Sequence, residues 1–98
     1  MAKFLVLWSL PPSVVSRDTM SAVLKMAEYA QKLKDTGKLE KRYHVIGKHG
    51  GAWIYDVQSH EELDRLLAMA PVYNFAEYEV LPLAEMEDQP TIVQKKKS

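Results

Sequence analysis

Cysteine is absent from all 98 residues, which removes disulfides, thiolate metal sites and cysteine nucleophiles together. An excess of charge is missing too. Thirteen Lys and Arg balance thirteen Asp and Glu, so no overall field steers the chain toward nucleic acid or an anionic membrane. The single basic run, Lys95-Lys96-Lys97, ends a polar C-terminal stretch that reads as a solvated tail. No segment approaches the ~20 apolar residues of a membrane span. The apolar start Phe4-Leu5-Val6-Leu7-Trp8 is too short for a signal segment and runs straight into Pro11-Pro12. A soluble, cytoplasmic protein without membrane or nucleic-acid partners is the expectation.

What is present is apolar surface, 47% of the residues. A domain this small hides only part of it, so a second chain is expected to cover some, as in a dimer. Lys3 to Leu10 is apolar on both alternating faces and reads as a central strand. From about Asp18 to Thr36, Met20, Val23, Leu24, Ala27 and Ala30 recur at helical spacing, and Gly37 follows where a helix-terminating glycine belongs. Glu40–Gly47 and Gly51–Val57 are rich in β-branched and aromatic residues, with Lys48-His49-Gly50-Gly51 between them as a hairpin turn. Ser59 and Glu62 form a capping-box pattern ahead of Leu63, Leu66, Leu67 and Ala70, and a last strand runs from Phe75 to Leu83. The order β-α-β-β-α-β is an α+β, ferredoxin-like pattern for residues 1–83, with 84–98 as a C-terminal extension, and the expected sheet order is 4-1-3-2.

Alternation sorts the strand residues onto two faces. Phe4, Val6, Trp8, Tyr43, Val45, Ile54, Tyr78 and Val80 form an almost wholly apolar set that belongs under the helices. Leu5, Leu7, Arg42, His44, Trp53, Tyr55, Phe75, Glu77 and Glu79 form a mixed set. That mixed face serves either as a dimer interface, with Arg42 or His44 paired to a glutamate, or as a small-molecule pocket. His44 is the candidate proton carrier. Glu77 and Glu79, two like charges on one face, are candidate general acids. Arg42, Trp53, Tyr55, Leu5 and Leu7 are the candidate substrate-binding residues. His49, in the glycine-rich turn, and His60, opening the second helix, read as solvated and outside the site. The three histidines lack metal-ligand spacing and Gly50-Gly51 precedes no helix, so neither a metal nor a nucleotide cofactor is expected. The third strand also lacks the basic and glycine-aromatic pattern of an RNA-binding sheet.

Three stretches carry a family resemblance: Ala30-Gln31-x-Leu33-x-x-x-Gly37, Gly47 nine residues before Asp56-Val57, and Pro71-x-Tyr73-x-Phe75-x-Glu77-x-Glu79-Val80. In these the chain resembles the muconolactone delta-isomerase family. The resemblance implies a ferredoxin-like subunit whose sheets pack into a dimer of the α/β-barrel type, with a larger ring of dimers built from it, and a cofactor-free double-bond shift in a small lactone. A non-catalytic binding or assembly module of the same fold is the alternative. Where the resemblance implies polar residues on the first strand and an acid on the first helix, this chain carries Leu5, Leu7 and Met26.

Overall fold

The structure, a computed structural model, describes residues 2–87. Its elements are β1 (Ala2–Leu10), a 3-10 turn (Pro12–Val14), α1 (Arg17–Asp35), β2 (Leu39–His44), β3 (His49–Val57), α2 (His60–Ala68) and β4 (Glu77–Leu83). The strands form one antiparallel sheet in the order β2-β3-β1-β4, the order expected from the split βαβ pattern read from its other edge. The basic run at 95–97 and most of the C-terminal extension lie outside the described residues.

Both helices begin on side-chain caps, because the first backbone N–H groups of a helix have no partner within it. Ser16 caps α1: its hydroxyl accepts from Thr19 N while Thr19 Oγ1 accepts from Ser16 N at 2.8 Å, a reciprocal box built on threonine. Ser59 accepts from Glu62 N. Glu62 itself reaches one residue further back than the sequence pattern implies. It accepts the Gln58 N–H at 2.8 Å and the Lys38 ammonium at 3.0 Å, which hold its carboxyl below the usual range. α1 stops at Gly37, whose φ of +75° is the left-handed conformation that glycine adopts without steric cost.

The hairpin turn is displaced from its expected place. It falls at residues 45–48, with Gly47 at φ +86°, and Gly50 and Gly51 lie inside β3. Two adjacent glycines suggested a turn, but Gly51 pairs with Trp8 on one side and His44 on the other, so it is a sheet residue without a side chain.

On β1, Phe4, Val6, Trp8 and Leu10 are buried against the helices, while Leu5 and Leu7 face the other side half-buried. The register carries this alternation across the sheet: Tyr55 opposes Phe4 and Trp53 opposes Val6. Trp53 and Tyr55 are therefore core residues, 2% and 1% exposed, and the expectation that they lie on the mixed face is corrected. Ile54 lies on the open face instead. Burial raises the Tyr55 phenol far above its ordinary range. The remaining core comes from Met26, Ala30 and Leu33 of α1, Leu63 and Leu67 of α2, and Val72 in the turn before β4. Each fully buried Val or Leu contributes roughly 1.5–3 kcal/mol.

Candidate functional site

β2 meets β3 through a bulge between Leu39 and Lys41. Leu39 opposes Tyr55 and is buried, yet Lys41 opposes Ile54 on the open face. The extra residue, Glu40, reverses the alternation of everything after it. It is tied on the open face to the Lys3 ammonium at 3.0 Å, a pairing that raises the Lys3 pKa. Beyond the bulge, Arg42 opposes Trp53 and His44 opposes Gly51, so both lie on the helix-covered side.

The consequence is a cleft of about 570 Å³ between α1 and the β2–β3 hairpin. Gly51 forms its floor, because no side chain rises there between Trp8 and His44 across the strands and His49 and Trp53 along the strand. A Cβ at this position would stand 2.7 Å from Trp53 Nε1 and 3.0 Å from the Tyr43 carbonyl oxygen. Trp8 and Trp53 meet edge to face at 6.1 Å, and the Arg42 guanidinium lies 5.9 Å from the Trp53 ring centroid. Met20, Val23 and Leu24 of α1 supply the facing wall. The cations and imidazoles at the cleft are Arg42, Lys34, His44 and His49, Tyr43 also borders it, and among the described residues lining it none is Asp or Glu. The indole Nε1 of Trp8 is buried without a hydrogen-bond partner. Apolar walls with cations and imidazoles at one cleft suit a small anion with an apolar body.

Of the residues singled out in the sequence, the cleft brings together Arg42, His44 and Trp53. Tyr55 lies deeper in the core. Leu5, Leu7, Glu77 and Glu79 are on the opposite, open face, where Leu7 opposes Glu79 and Leu5 opposes Leu81. His44 and Glu79 thus lie on opposite faces and on opposite edge strands, and the expectation that they share a site is corrected. Glu77 and Glu79 line a separate depression of about 240 Å³ with Leu7, Ser9 and Lys48. His49, read from the sequence as a turn residue, lines the cleft with His44. Its signal was available in the spacing: His49, Gly51 and Trp53 are i, i+2, i+4 on one strand. His60 packs its ring edge to face on Phe4 at 5.4 Å, away from the cleft. Among the described residues no group of His, Asp or Glu is arranged to hold a metal, and no helix is long and apolar enough to cross a membrane.

A family model described as muconolactone delta-isomerase matches residues 4–89. A muconolactone delta-isomerase of Cupriavidus pinatubonensis is 40% identical over 57 residues, 58% of this chain. That stretch spans 62% of the relative's own length, under two thirds. A second, from Rhodococcus opacus, is 29% identical over 64% of this chain and 68% of its own. Among solved structures, muconolactone isomerase aligns over 89% of this chain and 93% of its own with a TM-score of 0.75 at 22% identity. A 5-chloro-2-hydroxyhydroquinone dehydrochlorinase of Burkholderia phenoliruptrix, in complex with 2,5-dihydroxybenzoquinone, aligns over 91% and 97% with a TM-score of 0.60 at 13% identity. At these identities the two structures establish the fold.

Proposed function

Because the chain belongs to the muconolactone delta-isomerase family, we propose that it is a cofactor-free isomerase that moves a double bond within a small unsaturated lactone. The cleft beneath α1 is its substrate site. One observation carries the reading: Arg42 and His44 converge on a cleft floored by Gly51 and walled by indoles and aliphatic side chains.

Moving a double bond along a lactone requires removing a proton from carbon and returning one elsewhere on the conjugated system. The intermediate is an enolate whose charge rests largely on the carbonyl oxygen. Arg42 anchors an anionic substituent through its planar fork of donors. Trp8 and Trp53, packed edge to face, form one apolar wall for the ring. Substrate packing against this wall displaces water, which strengthens the field of Arg42 on the developing oxyanion. His44 is the proton carrier.

The open face, with Leu5, Leu7, Leu81 and Leu83, belongs in this reading to a second copy of the chain. Glu77 and Glu79 lie on that face at the β4 edge and Lys41 on it at the β2 edge. A two-fold packing of sheet on sheet would set the carboxylates of one copy near the lysine of the other.

The test is to incubate the purified protein with muconolactone, without added metal or nucleotide, and follow the olefinic protons by NMR. Wild type should move the double bond, and Arg42→Ala should raise KM about tenfold or more while leaving a folded protein. Saturable binding without turnover would replace the enzyme reading with a binding module. Neither binding nor turnover would remove the cleft from consideration for this substrate.

A further inference from the structure

We infer that His49 is a second catalytic residue, a diagonal neighbour of His44 at the cleft, so that one imidazole removes the substrate proton and the other delivers the returning one. This rests on the isomerase reading of the cleft and adds the residue that completes its proton balance.

The placement follows from strand register. His49 opposes Leu10, which is buried under the helices, and precedes Gly51 and Trp53 by two and four residues on the same face. His44 opposes Gly51 directly. The two histidines are therefore diagonal neighbours on adjacent strands of one sheet face, a relation that sets side chains about 7–8 Å apart. The edge of the Trp53 indole lies over Gly51, and the cleft that opens beside it is lined by both imidazoles and is large enough for a small ring to reach them. Both side chains are exposed at the cleft, so each can exchange its proton with water. With no carboxylate among the described lining residues, imidazole is the group there suited to both accepting and donating a proton near neutrality.

The step balances without a co-reactant. Neutral imidazole takes the proton from the ring carbon, and the C–H electron pair moves through the double bond to the carbonyl oxygen. The dienolate then collapses onto the carbon beside the carbonyl, which takes a proton from the second, protonated imidazole. One C–H bond has broken and one has formed. The histidines have exchanged protonation states, and solvent resets them.

Two measurements on the intact protein test this. In the first, isomerisation of muconolactone is compared for wild type, His44→Gln and His49→Gln. Each substitution should lower kcat about a hundredfold, and in D2O the wild-type product should carry one solvent deuterium. If His49→Gln stays within threefold of wild type while His44→Gln is impaired, one histidine suffices. The inference then fails although the isomerase reading stands. In the second, nitrogen-labelled protein is titrated with the saturated lactone acid, 5-oxotetrahydrofuran-2-acetate. The imidazole signals of His44 and His49 should move together and that of His60 should not. A moving His44 beside an unmoved His49 overturns the inference. A protein that neither binds nor isomerises these lactones overturns both readings at once, a result distinct from the loss of His49 alone.

Discussion

Tyr78 shows how little of a residue's energetics its type reveals. The sequence places it on the apolar face, and its ring does pack there, 6.0 Å from that of Tyr73. Its hydroxyl, however, is buried without a hydrogen-bond partner, and burial together with Tyr29 and Tyr73 pushes its pKa up to about 12. An unpaired buried hydroxyl costs about 1–3 kcal/mol of desolvation. Tyr78→Phe should therefore raise stability by about 1 kcal/mol, read as a higher urea midpoint at unchanged slope. A lowered midpoint would show that the hydroxyl is satisfied in solution. Tyr29 is the contrast, since its equally inward hydroxyl donates to the Leu66 carbonyl. Tyr55 shows the cost of a misplaced face. On a dimer surface, Tyr55→Glu would dissociate the protein, but at 1% exposure it would bury an unpaired charge in the core and unfold it.

At the scale of elements, the strands, helices and sheet order were legible because hydrophobic period and capping residues are local signals. The faces were half legible. Within β1 and β4, Phe4, Val6, Trp8, Tyr78 and Val80 were grouped correctly against Leu5, Leu7, Glu77 and Glu79. Within the β2–β3 hairpin, Arg42, His44, Trp53 and Tyr55 were also rightly kept together. What alternation alone does not carry is the phase of one pair relative to the other, and a shift of one residue inverts it. For β3 the register on β1 sets it, with Trp53 opposite Val6, and for the part of β2 that carries Arg42 and His44 the bulge at Glu40 reverses the phase read from Leu39. Deleting Glu40 should return Lys41 and Tyr43 to the helix side and expel Arg42 and His44, lowering isomerisation about a hundredfold or more. Glu40→Ala, which loses only an exposed ion pair, should leave turnover within threefold. Equal effects of the two changes would show that the bulge does not position the cleft. The His49 placement was missed for a related reason: the glycine pair was read as a turn, whereas Gly47 makes the turn.

For the whole molecule, the sheet separates a ligand-sized cleft on its helix side from an apolar, ridged face on the other, where Leu81 and Leu83 remain 39% and 43% exposed. A monomer exposing that face in water would be prone to association. Light scattering at micromolar concentration should report a dimer or larger species. Leu7→Glu, in the centre of the face, should reduce its mass while circular dichroism stays unchanged. A monomeric wild type would end the sheet-on-sheet reading and leave the cleft chemistry untouched.

The glycine floor also constrains how the site can diversify over generations. No residue is smaller than glycine, so mutation at 51 can only fill the cavity, and even alanine meets the Trp53 indole and the Tyr43 backbone there. Substrate range has to be adjusted from the opposite wall, through Met20, Val23 and Leu24 of α1. Leu24 is 78% exposed, so a change of size there meets solvent rather than the core. In the isomerase reading the sheet holds the groups proposed to act on the substrate, and the helix above it holds the side chains whose size can change without refilling the floor.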